Sequence, residues 1–274
     1  LNGSDLALQM KDAPHYTNSG AFPISQFIAP LFESMSVATL VIFERAFWWL
    51  HIAGILVFMN YLYFSKHLHI LLAFPNTYFA DLNPKGKFDN LESVTKEVKL
   101  MMDPNADPFA APAPDADAAP TKFGASDVQD LNWVQLLNAY TCTECGRCTS
   151  ACPANITGKK LSPRKIMMDT RDRMEEVGKN MDANKGVFVP DNKTLLNDYI
   201  TPEELWACTS CNACVEECPV NISPLSIIMD MRRYLVMEQS AAPMSLNAMM
   251  TNVENNGAPW QYSQQDRLNW KNEN

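Results

Sequence analysis

No cysteine lies outside positions 142–218, although the chain has eight of them. None is left over to staple the rest of the molecule, which argues against a disulfide scaffold. Positive charge is also short, with 22 Lys and Arg against 31 Asp and Glu and a net charge of −9. Such a chain has no electrostatic footprint for a polyphosphate partner, so nucleic-acid binding is not expected. Leu1 is not a start Met, and no charged n-region with a short apolar stretch follows it. The chain therefore reads as a processed product or a fragment, with transmembrane elements ahead of Leu1 left open. The 274 residues, 47% of them hydrophobic, could hold one to two ordinary domains.

Residues 1–36 show no sustained period and read as loops plus a short amphipathic piece around Phe22–Phe32. From Val37 to Phe64 the only formal charges are Glu44 and Arg45. As a helix this run would measure ~42 Å, enough to cross a bilayer. Trp48 and Trp49 near one end and Tyr61 and Tyr63 near the other resemble two aromatic belts. The plain alternative is the central helix of a soluble protein. Lys66, Lys85 and Lys87 follow the run and no basic residue closely precedes it, which puts the C-terminal side in the cytoplasm and the anchor in the inner membrane.

Residues 1–75 are thus expected to form a membrane segment and 76–125 a connecting region. Within the latter, 104–120 carries five Pro and seven Ala and reads as an extended linker. A C-terminal domain is expected over 126–240, opened by a capping box from Ser126 to Gln129 and a helix through Leu137.

Two runs carry the chemistry: Cys142, Cys145, Cys148 and Cys152 followed by Pro153, and Cys208, Cys211, Cys214 and Cys218 followed by Pro219. Each reads C-x2-C-x2-C-x3-C-P. Three thiolates on a tight loop can reach three irons of one cubane, while the fourth Cys, on a departing segment, points away; in two-cluster proteins it completes the other cube. This assigns Cys142, Cys145, Cys148 and Cys218 to one [4Fe-4S] cluster, and Cys208, Cys211, Cys214 and Cys152 to a second. Zinc needs only four thiolates per ion and leaves the third Cys and the Cys-Pro of each copy unexplained.

The runs belong to a longer internal repeat. Pro163 to Arg171 matches Pro224 to Arg232, and each copy opens with Ser before Pro, the N-cap and N1 arrangement. Thr201-Pro202-Glu203-Glu204 starts another helix ahead of Cys208. Helices therefore flank both loops, and the 55 residues between Cys152 and Cys208 are too many for a small β-type ferredoxin. The expected fold is all-α, a transmembrane helix of a larger bundle plus an α-helical domain with two cluster loops. Arg147, Lys159 and Lys160 could raise the potential of the first cluster, and Met167, Met168, Met229 and Met231 read as core packing.

Two such runs separated by helices resemble the α-helical ferredoxin domain of heterodisulfide reductase C-type subunits, succinate dehydrogenase iron-sulfur subunits and related oxidoreductases. The resemblance implies an electron wire within a larger complex, with other catalytic chemistry on a partner. His51, inside the apolar run, and His69, 18 residues later, would share a face if one helix continued through both. The stretch from Leu50 to Ile70 is similar to the last helix of nitrate-reductase gamma-type cytochrome b subunits. That likeness implies haem b on His51 and His69, with the opposite ligands from other helices. Interfacial or bundle hydrogen bonding is the alternative role for both.

The expected function is electron transfer between a membrane quinone or haem site and a cytoplasmic redox partner, as part of a respiratory-type complex. Two rivals stand beside it: a subunit contributing directly to a quinone-reactive site, and a structural iron-sulfur subunit of a respiratory assembly. The tail 241–274, irregular after about Met250, is expected to dock the partner through Trp260, Tyr262, Arg267 and Trp270; the alternative is that it folds back to shield the clusters.

Overall fold

The structure, a computed structural model, describes residues 1–17, 20, 22–84, 86–104 and 122–272. The expected linker, apart from Pro104, and Lys85 lie outside the described residues. Twelve α-helices are present among the described residues; strands are absent there, and one isolated bridge joins Leu196 and Ile200. The chain divides into two compact units, 1–68 and 69–274.

In the first unit, α1 (Asn2–Met10) stands where the sequence suggested loops. It forms because Ala7 and Leu8 are buried against Leu40 of α2 (Val37–Tyr63), with Ala13, Phe32 and Met35 closing the cluster. A pairing this short leaves no period in sequence; only the partner helix makes it pay. The Phe22–Phe32 piece is a pair of 3-10 turns, Ser25–Phe27 and Ala29–Phe32.

Helix α2 starts at a definite cap, the Ser36 hydroxyl accepting the Thr39 N–H. It is long and apolar enough to cross a membrane, and little of it is buried within the chain. Ile42, Trp49, Leu50, Val57 and Met59 all project outward, whereas a central helix of a soluble protein would be covered. Its one buried charge is Glu44, which accepts the Tyr16 hydroxyl at 3.2 Å and pairs with Arg45.

The helix does not run on to His69. Ser65 donates its hydroxyl to the Leu62 carbonyl and accepts the His67 N–H, turning the chain before α3 (Leu68–Tyr78) begins. The shared-face argument for His51 and His69 therefore fails, because the local Ser65 bonds compete with the helix ladder.

The second unit contains α3 (the residues from His69 on), α4 (Glu92–Met102), α5 (Trp133–Thr141), α6 (Arg147–Ser150), α7 (Pro153–Ile156), α8 (Pro163–Ala183), α9 (Pro202–Ala207), α10 (Ala213–Glu216), α11 (Pro224–Met237) and α12 (Met244–Asn256). The expected capping box at Ser126 is replaced by two others. Asp127 with Asp130 caps a 3-10 turn, and Asn132 with Gln135 caps α5. Asp130 captures the Ser126 N–H and hydroxyl, so Ser126 has no helix to cap. The caps at Ser162, Ser223 and Thr201 form as the sequence implied, each with Pro at the first helical turn. The tail is less irregular than expected, since α12 runs to Asn256 before Gly257 ends it in the left-handed region.

The long helices that follow each cysteine run, α8 and α11, pack on one another, as do the short helices α6 and α10 inside the runs. Their core joins Ile166, Met167 and Val177 to Ile227, Ile228, Met231 and Leu235, with Leu205, Leu195 and Ile200 filling the sides. The sequence repeat is therefore a repeat in space. Gly124 makes the tightest approach: its φ is +76°, and a Cβ there would sit 2.2 Å from the Asp230 carbonyl oxygen of α11.

Candidate iron-sulfur site

Both loops are shaped by left-handed residues at matched positions. In the first, Glu144 and Gly146 have φ of 58° and 81°; in the second, Ser210 and Asn212 have φ of 57° and 61°. Side-chain-bearing residues take this conformation at a cost, and the repeated turns point backbone N–H groups at sulfur. The Ser210 N–H lies 3.4 Å from Cys208 Sγ, and the Glu144 N–H makes the matched bond to Cys142. Arg147 N–H bonds Cys145, and Ile222 N–H reaches Cys218 Sγ at 3.3 Å.

All eight thiols are free, and the structure brings them together across the two runs. Cys218 stands beside Cys142 and Cys148. Cys152 stands beside Cys208 and Cys214. Cys142, Cys145, Cys148 and Cys218 line one small pocket, walled by Met167, Ile222 and Pro224; Cys214 reaches the same wall, so the two groups adjoin. Among the described residues no three His, Cys, Asp or Glu converge closely enough for a single metal ion.

Burial pushes the Cys142, Cys148 and Cys208 thiols up, and carries Cys214, with neighbouring cysteines adding to the effect, up to about 12. Cys145 is pulled down, chiefly by the Arg147 N–H. All four shifted-up groups lose thiolate solvation to low-dielectric surroundings, and a bound cation would favour holding them ionised together. Soft all-sulfur donors, N–H groups aimed at sulfur and a cysteine-lined pocket fit a [4Fe-4S] cluster.

Two arginines near the loops were not read as functional from the sequence, although the repeat aligns them. Arg171 on α8 donates to Glu144 at 2.7 Å. Arg232 on α11 donates to the Leu205 and Cys208 carbonyls at 2.6 and 2.5 Å and lies over the Trp206 ring. Matched residues thus hold the matched left-handed turns. Of the cations proposed from sequence, Lys160 is an exposed partner of Glu203 at 2.5 Å, while Arg147 and Lys159 are exposed. Met167 and Met231 are buried, in keeping with packing roles. His51 lies on α2 in a shallow groove with Phe47, Leu50, Gly54 and Phe58, and His69 is in the first turn of α3.

The fold and the thiol arrangement define a class, an all-helical iron-sulfur module on a chain with a candidate membrane helix. The family described as 4Fe-4S dicluster domain matches residues 141–222. The chain is 30% identical over 280 residues to the "Probable iron-sulfur-binding oxidoreductase FadF" of Bacillus subtilis, and 30% identical over 273 residues to the "EtfAB:quinone oxidoreductase" of Syntrophomonas wolfei. Each alignment covers 92% of this chain, but only 36% and 35% of those relatives' own lengths. A "Probable membrane-anchored ferredoxin" of Chromohalobacter salexigens is 35% identical over 171 residues, covering 57% of this chain and 25% of that protein. Heterodisulfide reductase subunits C and D are also among the relatives, so the resemblance drawn from the cysteine runs holds. The chain thus carries a 4Fe-4S dicluster domain and is similar over most of its length to parts of larger iron-sulfur oxidoreductases.

Proposed function

We propose that this chain is the membrane-anchored electron-transfer part of an oxidoreductase, carrying one [4Fe-4S] cluster on Cys142, Cys145, Cys148 and Cys218 and a second on Cys208, Cys211, Cys214 and Cys152. The observation that carries the reading is the exchange of the fourth cysteines, Cys218 beside the first run and Cys152 beside the second. Each cluster would supply a one-electron carrier. The chain's own contribution is to bury the sulfurs, aim N–H groups at them and hold the two sets side by side through α6 and α10, so that an electron passes from one set to the other without crossing solvent.

The flanking basic residues favour placing this module on the cytoplasmic side of the inner membrane. The name of the S. wolfei relative supports a membrane quinone as one terminus. Haem b on His51 and His69 rests on the cytochrome b likeness and on the groove beside His51; b-type optical bands in the dithionite-reduced complex, diminished by His51→Ala, test it. Exposure of Trp260, Tyr262 and Trp270 favours the tail as a docking element for a cytoplasmic redox partner. Deleting residues 255–274 should release that partner with the iron content unchanged.

The decisive experiment is iron and sulfide analysis with low-temperature spin resonance of the reduced, membrane-extracted complex. Two interacting [4Fe-4S] signals are expected; one signal, or zinc in place of iron, overturns the reading. A second reading, direct quinone contact, is favoured by a cleft in which Phe79, Phe88 and Trp133 face Asn138, Asn212 and Arg233. A quinone-dependent absorbance change in the chain without its partners would support it.

A further inference from the structure

The two arginines that the repeat places beside the cysteine loops differ in how their charge is met. Arg171 is bonded to Glu144 at 2.7 Å and lies 3.6 Å from Asp172, so a carboxylate sits against its guanidinium on the first loop itself. At the position matching Glu144 the second loop has Ser210, a neutral residue. Arg232 donates to the Ser210 hydroxyl at 3.4 Å, to the Leu205 carbonyl at 2.6 and 3.0 Å and to the Cys208 carbonyl at 2.5 Å. Its remaining contact is the face of Trp206, 4.9 Å from the ring centre.

All of these Arg232 partners are neutral. Its side chain is partly buried, and its bonds go to two carbonyls and a hydroxyl. Other charges close to the two runs, Arg147 and Arg164, which line the mouth of the first-run pocket, and Glu216 and Glu217 near the second, are exposed, and water weakens their effect. A partly buried, uncompensated cation bonded to the carbonyl of a ligating cysteine is not screened in that way.

The geometry points to Arg232 as a positioning and tuning residue for the cluster on Cys208, Cys211, Cys214 and Cys152: its uncompensated charge favours the reduced, more negative state of that cluster, whereas Arg171, paired with Glu144, biases the first cluster less. This rests on the two-cluster reading above. It means that one repeated arginine does two jobs. Both copies hold a left-handed turn in place, and the second, with no carboxylate against it, biases more strongly where the electron rests.

The test is a redox titration of both clusters in the intact complex, followed by spin resonance, with Cys152→Ser and Cys218→Ser used to attribute each signal. Iron and sulfide content of the unmodified complex reports on the two-cluster reading by itself, before any arginine is changed. Arg232→Gln should lower the midpoint of the second-run cluster by roughly a tenfold change in its reduced-to-oxidised ratio, ~59 mV for one electron, while Arg232→Lys keeps it near the original value. Glu144→Gln should raise the first cluster's midpoint by exposing Arg171, and the double variant with Arg171→Gln should restore it. An Arg232→Gln protein with full cluster content and unmoved potentials overturns the proposal. Should Arg232→Gln lose iron, Arg232→Lys decides: a midpoint held near the original supports a role of charge, and one lowered despite the retained charge overturns it.

Discussion

In the first half of the repeat the loop from Cys142 enters α6 through Gly146, at φ 81°; in the second, the loop from Cys208 enters α10 through Asn212, at φ 61°. Ser162 caps α8 and Ser223 caps α11, both through a backbone N–H three residues on. Around this shared frame the halves diverge. The first has the extra helix α7 after its fourth cysteine and a 21-residue α8, the second a turn and a 14-residue α11. On α8, Arg173 is fully buried and bonded to both Asp127 and Asp191, while the repeat puts Tyr234 at the matching place on α11. What holds sulfur is duplicated; what anchors each half to its surroundings is not.

The largest expected effect tests whether the halves exchange ligands. Cys218→Ser should abolish or strongly alter the signal of the first-run cluster and spare the other, with Cys152→Ser doing the converse. Spin resonance of each variant reads this directly, and loss confined to the cysteine's own run would break the comparison.

Next in size is the unmatched arginine. Its charge holds Asp191 down to about 2 and is itself stabilised upward by both carboxylates. Arg173→Met leaves those carboxylates gathered around an apolar side chain, a loss of about 3 kcal/mol, whereas Tyr234→Phe should stay within about 0.5 kcal/mol. Denaturation midpoints of the two proteins measure the contrast. Equal losses would mean that the two helices are anchored alike.

The turn residues sharpen the frame itself. Gly146→Ala puts a Cβ into a left-handed conformation and should cost about 1–2 kcal/mol, while Asn212→Gly should change stability by a few tenths or slightly improve it. A neutral Gly146→Ala would show that the first loop relaxes where the second cannot. Smallest are the caps: Ser162→Ala and Ser223→Ala should each lose about 1 kcal/mol, and similar losses by thermal melting would confirm the two helix starts as equivalent.

Particular residues show how far the site was legible. The two C-x2-C-x2-C-x3-C-P runs and the Ser-Pro starts are local chemistry, readable because a cubane demands that spacing and a helix start that pair. Arg171 and Arg232 were visible as aligned letters, but their role depends on Glu144 and Ser210, which sit 27 and 22 positions away. Arg173 carried no signal at all, since a charged residue on a polar helix reads as solvated until Asp127 and Asp191 are folded around it. The continuous helix to His69 failed for the opposite reason: hydropathy carried on past Tyr63, but Ser65 offered the backbone local bonds that ended the helix.

Sequence alone determined the cysteine spacing, the duplicated helix starts and an apolar run long enough to span a bilayer, because each depends on neighbours within one or two turns. The tertiary structure decided that α1 forms at all and which of the two repeated arginines meets a carboxylate. Those outcomes depend on groups distant in the chain, whose desolvation and pairing energies exist only once α1 has packed on α2 and α8 on α11.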